Sequence, residues 1–167
     1  MKLYHGSTIV VESPRIIRSD IGRGFGFGFY TTDIKEQAER WALRRRRTAR
    51  RNGAADAQAV VSVYEIDLEA ARNSLTFKDY PSASLDWLEL VVSCRSDKDF
   101  IHPYDVVIGK IADDSVGETV SYVLAGVMRK EDAMERLKFQ QINNQLAFCS
   151  ERALTFLKYI SNYVVEQ

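Results

Sequence analysis

Gly24-Phe25-Gly26-Phe27-Gly28-Phe29-Tyr30-Thr31-Thr32 alternates glycine with aromatic rings and ends in a tyrosine followed by two threonines. Glycines in an extended segment leave room for a close approach by another group. The tyrosine offers a flat ring for stacking. Twenty-odd residues upstream lies Tyr4-His5-Gly6-Ser7. Its His-Gly step sets an imidazole beside backbone that carries no side chain. Two such segments, close in sequence and both built around glycine, point to a ligand pocket lined by His5, Gly6, Gly28, Tyr30 and Thr32.

The rest of the chain limits what that pocket belongs to. The 167 residues fit one domain, residues 1–167, and 46% of them are apolar, enough for a sizeable core. Lysine plus arginine and aspartate plus glutamate both total 23, so net charge selects no partner. No apolar run is long enough to span a bilayer, and the opening residues lack the apolar core of an export signal. The expectation is a cytoplasmic protein with no membrane partner. Its two cysteines, Cys94 and Cys149, have no metal-type spacing, and a reduced pair is expected.

Periodicity predicts an α+β fold. Leu3-Tyr4-His5 reads as a short strand, 7–24 as a loop, and Phe25 to Thr31 as extended. Asp33 and Glu36 resemble a capping box. The helix behind it buries Ile34, Ala38, Trp41 and Ala42 and stops at Asn52-Gly53. Val60 to Ile66 reads as a strand, Ser84 caps a helix through Trp87 and Val92, and Val106-Val107-Ile108 is a buried strand. Helices follow over Val116 to Leu124 and Lys130 to Phe139. Leu146-Ala147-Phe148 is a strand, and Ser150 caps a last helix carrying Ala153, Leu154, Leu157 and Ile160. Strands separated by helices of unequal length, with no repeat or linker, make an α+β domain.

Each motif has a plainer competitor. The glycines imitate a dinucleotide loop, but Phe29 stands where the third glycine of G-x-G-x-x-G belongs, and no clear strand precedes it. A flexible hairpin with core phenylalanines also accounts for the segment. His5 alone would pass for an ordinary strand residue. Arg18 is a candidate for a bidentate grip on pyrophosphate or a plain surface arginine, and Arg95 is a weaker candidate of the same kind. Six arginines crowd Arg44 to Arg51. They suit a solvated helix end, which the helix dipole favours, or a grip on a polyanion or acidic partner. Aromatic residues do not interleave the run, which weighs against single-stranded nucleic acid.

Taken in order, the motifs resemble a bacterial family of ADP-ribosyltransferase-like proteins of the His-Tyr-Glu/Gln class, often found beside small antitoxin-like partners. The likeness covers nearly the full length. It rests on Leu3-Tyr4-His5-Gly6-Ser7, the segment Phe25 to Thr32, Gln37-Ala38 with Trp41-Ala42, and Trp87-Leu88. It continues through Tyr104-Asp105-Val106-Val107-Ile108-Gly109, Ala112-Asp113-Asp114, and Asn144-Gln145-Leu146-Ala147-Phe148 leading to Ala153-Leu154. The resemblance implies a split β-sandwich with flanking helices around an NAD cleft. NAD serves as co-substrate there, and ADP-ribose passes to a macromolecular target, protein or nucleic acid. It implies that His5 bonds the ribose beside nicotinamide, Gly6 presents its backbone to the carboxamide, Tyr30 stacks on the ring, and Arg18 meets the pyrophosphate.

The third motif of the class is a glutamate at the head of a late strand. Here the matching place holds Gln145. An amide accepts or donates a hydrogen bond at ribose but carries no charge and is no base. Asp105, Asp114 and Glu151 are candidates to supply a carboxylate instead. Two readings follow: a toxin-like mono-ADP-ribosyltransferase with His5, Tyr30 and Gln145 as its catalytic set, or an inactive NAD-binding or partner-binding module that keeps the fold.

Overall fold

Two small β-sheets pack face to face, and a backbone bridge at one edge ties them together. In the computed structural model, residues 1–18, 24–110, 114–137 and 144–166 are described. The first sheet has three antiparallel strands in the order β1 (Lys2–Ser7), β3 (Val60–Glu65), β7 (Lys158–Val164). The second has four, in the order β2 (Phe29–Thr31), β6 (Asn144–Phe148), β5 (Val106–Lys110), β4 (Phe77–Asp79). Only β4 and β5 run parallel. Among the described residues one backbone bridge joins the sheets: Tyr4 N–H donates to Thr32 O at 2.8 Å, and Thr32 N–H to Tyr4 O at 3.0 Å.

The inner faces of the two sheets share a core. Leu3, Tyr64 and Ile66 from the first pack with Phe29, Val106, Leu146 and Phe148 from the second. The Phe29 and Tyr64 rings meet edge to face, 5.5 Å apart. Full burial of such a side chain stabilises by about 1.5–3 kcal/mol, so this layer holds the sheets together.

Helices cover both outer faces. On the first sheet lies α1 (Lys35–Arg51), packed through Ala38 and Ala42 on Val61 and Val63. On the second lie α3 (Leu85–Ser96), α4 (Asp114–Leu124) and α5 (Lys130–Leu137), whose Trp87, Leu88, Val91, Val116, Val120 and Leu137 pack on Val107 and Ala147. Two short helices remain. Asp67 caps α2 (Leu68–Ser74), and Ser150 caps α6 (Glu151–Leu154). Among the described residues no helix is long and apolar enough to cross a membrane.

The α+β class and most element positions match the periodicity reading, and four details differ. The extended segment is shorter than Phe25 to Thr31: Gly26 has φ of 76°, a left-handed turn, and the strand begins at Phe29. The capping box at Asp33 does not form. Ile34 is the N-cap, Thr32 Oγ1 takes the Ile34 N–H at 3.1 Å, and Asp33 is occupied by Asn144 Nδ2 at 3.1 Å. Trp41 and Ile34 are exposed, because the helix rests on its two alanines. The last helix is a single turn. Residues from Lys158 onward form β7 instead, paired along the whole of β3. Phe139, at the end of the fifth predicted helix, lies outside the described residues.

Candidate functional site

The single bridge between the sheets places His5 and Tyr30 together. In an antiparallel ladder a residue's N–H and C=O point to the same side, and successive residues alternate. Those of Tyr4 point at Thr32, so those of Gly6, two residues on, point the same way. A continued ladder would set Gly6 opposite Tyr30. Among the described residues it stops at the one bridge. The Tyr30 carbonyl is met instead by His5 Nδ1 at 2.7 Å. A carbonyl only accepts, so Nδ1 carries the hydrogen. The His5 ring leans on Phe29, 4.4 Å between centroids. Strands β1 and β2 thus part at Gly6, with its polar backbone turned to the gap and the His5 imidazole beside it.

Gly6 is a glycine for a second reason. A Cβ there would lie 2.2 Å from Ala38 O and 2.8 Å from Ala42 N. Helix α1 sits so close to β1 that no side chain fits between them.

Tyr30 is half-buried and points to the helical side of its sheet. Its hydroxyl donates to Gly26 O at 2.5 Å and accepts from Phe25 N–H at 3.2 Å, so it pins the glycine-aromatic turn. Packing also sets the residue type at Gly28, where a Cβ would lie 2.8 Å from Phe148 O. Thr32 is buried and spends its backbone on Tyr4.

Gln145 lies at the head of β6, opposite Gly109 and two residues before Ala147, the partner of Tyr30. Directly paired residues share a face, as do alternate residues of one strand. Tyr30 and Gln145 therefore stand on one face of the second sheet. The neighbouring Asn144 is tied to α1, its carbonyl accepting from Gln37 Nε2 at 2.9 Å. The other end of that amide, Gln37 Oε1, is buried with no hydrogen-bond partner. An unsatisfied buried acceptor costs about 1–3 kcal/mol and marks a place where a donor would be welcome.

The same face carries a charge that sequence reasoning ranked low. Arg95, near the end of α3, is half-buried, and its Nε is buried without a partner. Burial lowers its pKa, and Tyr30 is near enough to oppose that shift. Arg18 behaves differently. It is exposed, with its guanidinium 5.9 Å from the Phe27 ring. It lines an open cleft of about 380 Å³ with Gly26, Phe27, His102, Ser150 and Glu151. That cleft is not lined by His5, Tyr30 or Gln145, so Arg18 is not brought to them.

Of the three carboxylates considered beside Gln145, Asp105 is fully engaged. Its Oδ1 accepts from Ser150 Oγ at 2.6 Å and Arg152 Nε at 2.9 Å. Its Oδ2 accepts from Thr76 N–H at 2.8 Å, Thr76 Oγ1 at 2.7 Å and the Arg152 guanidinium. Arg152 first, then the two hydroxyls, holds this carboxyl far below the usual range. Its task is to join β4, β5 and α6. Glu151 lies at the 380 Å³ cleft. The Asp114 side chain lies outside what the structure describes. Both cysteines are free thiols, Cys94 buried and Cys149 half-buried. Among the described residues no His, Cys, Asp and Glu cluster forms a metal site.

The model of a family described as a protein of unknown function, DUF3990, matches residues 1–159, and the chain belongs to that family. No curated protein and no solved structure matches it.

Proposed function

We propose that this protein is an NAD-dependent mono-ADP-ribosyltransferase, acting as a toxin-like bacterial effector on a macromolecular target. The observation that carries the reading is the parting of β1 and β2 at Gly6, with His5 held by the Tyr30 carbonyl. On this reading the two packed sheets are the split β-sandwich of that class, and the nicotinamide riboside enters where they separate. Gly6 N–H and C=O take the carboxamide as a donor–acceptor pair. His5 Nε2 accepts from a ribose hydroxyl. The Tyr30 ring stacks on nicotinamide.

The chemistry asked of these groups is modest. The bond between ribose C1′ and the nicotinamide nitrogen breaks, and nicotinamide leaves with the electron pair. Positive charge spreads over C1′ and the ring oxygen. A nucleophile on the target attacks C1′ and loses its proton. Gln145 orients the ribose through its amide, without charge. Arg95, half-buried and close to Tyr30, suits the pyrophosphate better than exposed Arg18 does, since its buried Nε has no hydrogen-bond partner and gains from an anion.

The second reading is a non-catalytic NAD-binding or partner-binding module. It draws on Gln145 and on Asp105, whose acceptors are spent elsewhere. A nicotinamide-release assay with cell lysate separates the two. Release above background that is lost in His5→Ala supports the enzyme. NAD binding without release under any lysate supports the module.

A further inference from the structure

The arginine-rich half of α1 folds into a single outward face. At 100° per residue, Arg40, Arg44, Arg47 and Arg51 fall into one stripe, with Trp41, Thr48 and Arg45 beside it. All seven are exposed. The opposite face, Ala38 and Ala42, is buried on β1 and β3. The stripe spans about 17 Å, at 1.5 Å per residue. From Arg44 to Gly53 the chain has no acidic residue. Arg46 is half-buried on the inner side and does not belong to the surface.

The sequence run has no aromatic residue within it, but the helix brings one to its edge. Trp41 is 46% exposed, and the Arg44 guanidinium lies 5.5 Å from its ring centroid. A large exposed indole beside a row of guanidinia is costly to leave in water and well suited to a base lying over a phosphate backbone. Arginine throughout, with no lysine between Arg40 and Arg51, favours planar bidentate contact with phosphate.

We infer that this face binds single-stranded nucleic acid. The stripe follows successive phosphates, and Trp41 stacks on a base. The surface is on the far side of α1 from the His5 gap and does not depend on the reading of that gap.

The test is fluorescence anisotropy with a labelled single-stranded RNA oligonucleotide, its duplex, and polyglutamate as competitor. Four phosphate contacts on a single strand predict a loss of about fiftyfold in affinity between 50 and 200 mM salt. The triple variant Arg40→Gln, Arg47→Gln, Arg51→Gln should bind at least tenfold more weakly and flatten the salt slope by about 2. Glutamine is nearly as good a helix former as arginine, and a thermal melt checks the fold. Trp41→Ala is a second variant that leaves every charge in place. It should weaken single-strand binding at an unchanged salt slope. The inference is overturned by absent binding, by unchanged affinity in both variants, or by tighter binding of duplex or polyglutamate than of the single strand.

Discussion

His5 and Tyr30 are joined by a hydrogen bond, Nδ1 to carbonyl at 2.7 Å, next to the Tyr4–Thr32 backbone bridge between the two sheets. The bond puts a hydrogen on Nδ1, and on the proposed function Nε2 is the nitrogen that meets a ribose hydroxyl. Its consequences are measurable.

Calorimetry with NAD is the first measurement. His5→Ala removes both the partner of the Tyr30 carbonyl and the acceptor at the gap. Affinity should fall at least tenfold, about 1.4 kcal/mol. Tyr30→Ala should do the same. Tyr30→Phe keeps the stacking ring and loses the bonds to Gly26 and Phe25. It should bind NAD nearly as well as the parent. It should also be less stable by about 0.5–1.5 kcal/mol per lost bond. A parent protein that does not bind NAD sinks the enzyme and the NAD-binding module and leaves the partner-binding module.

Gln145 is read through kinetics. Gln145→Ala should lower turnover more than affinity, the pattern of an interaction made mainly in the transition state. Gln145→Glu should preserve or raise NAD hydrolysis, because a carboxylate stabilises the developing positive charge. If the parent and Gln145→Ala share one background rate while Gln145→Glu gains activity, the native chain is a binding module.

Asp105 makes the fold acid-sensitive. Its carboxyl is held low in the folded state, chiefly by Arg152, and returns to about 3.9 when unfolded. The unfolded chain therefore binds the proton first as pH falls. The stability from this group is complete above that value and drains away below about pH 4. Urea midpoints taken from pH 6 to pH 3 should fall in the parent and fall less in Asp105→Asn. At neutral pH that variant should be weaker by about 1.5–3 kcal/mol. Equal slopes in the two proteins would remove Asp105 from this role.

The thiols should be slow to react in the native protein. Burial pushes Cys94 up to about 11 and Cys149 up to about 12, so little thiolate exists at neutral pH. Alkylation followed by mass spectrometry at pH 8 should label both quickly in denaturant and slowly without it. Rapid labelling of Cys149 in buffer would mean that the turn at Gly26 opens readily.

Local pattern carried much of the fold. The β-branched runs at Val60 and Val106 and the Ser84 and Ser150 caps are where periodicity places them. What failed depended on distant partners. Asp33 looks like a cap until Asn144 takes it. Lys158 to Val164 shows helical spacing from Ala153 onward and becomes a strand because β3 has an open edge there. Trp41 fits an apolar stripe by spacing, but Gly6 draws the helix in through alanines and leaves the indole outside. At the site, His5, Gly6 and Tyr30 were visible as motifs. Arg95 stood only as the weaker pyrophosphate candidate behind Arg18, since what raises it is the buried, unpartnered Nε, a property of three-dimensional burial alone.

The clash that a methyl group would meet at Gly6 has a bearing on how this protein must be dissected. Replacement by alanine pushes α1 off β1 before any ligand arrives, so a dead Gly6 variant reports a broken scaffold as readily as a lost carboxamide contact. On the proposed function the glycine answers to two masters, one in the interior and one in the gap. Only probes that leave its Cα untouched, such as trimming the nicotinamide carboxamide on the NAD side, can tell which of them a given loss of activity offends.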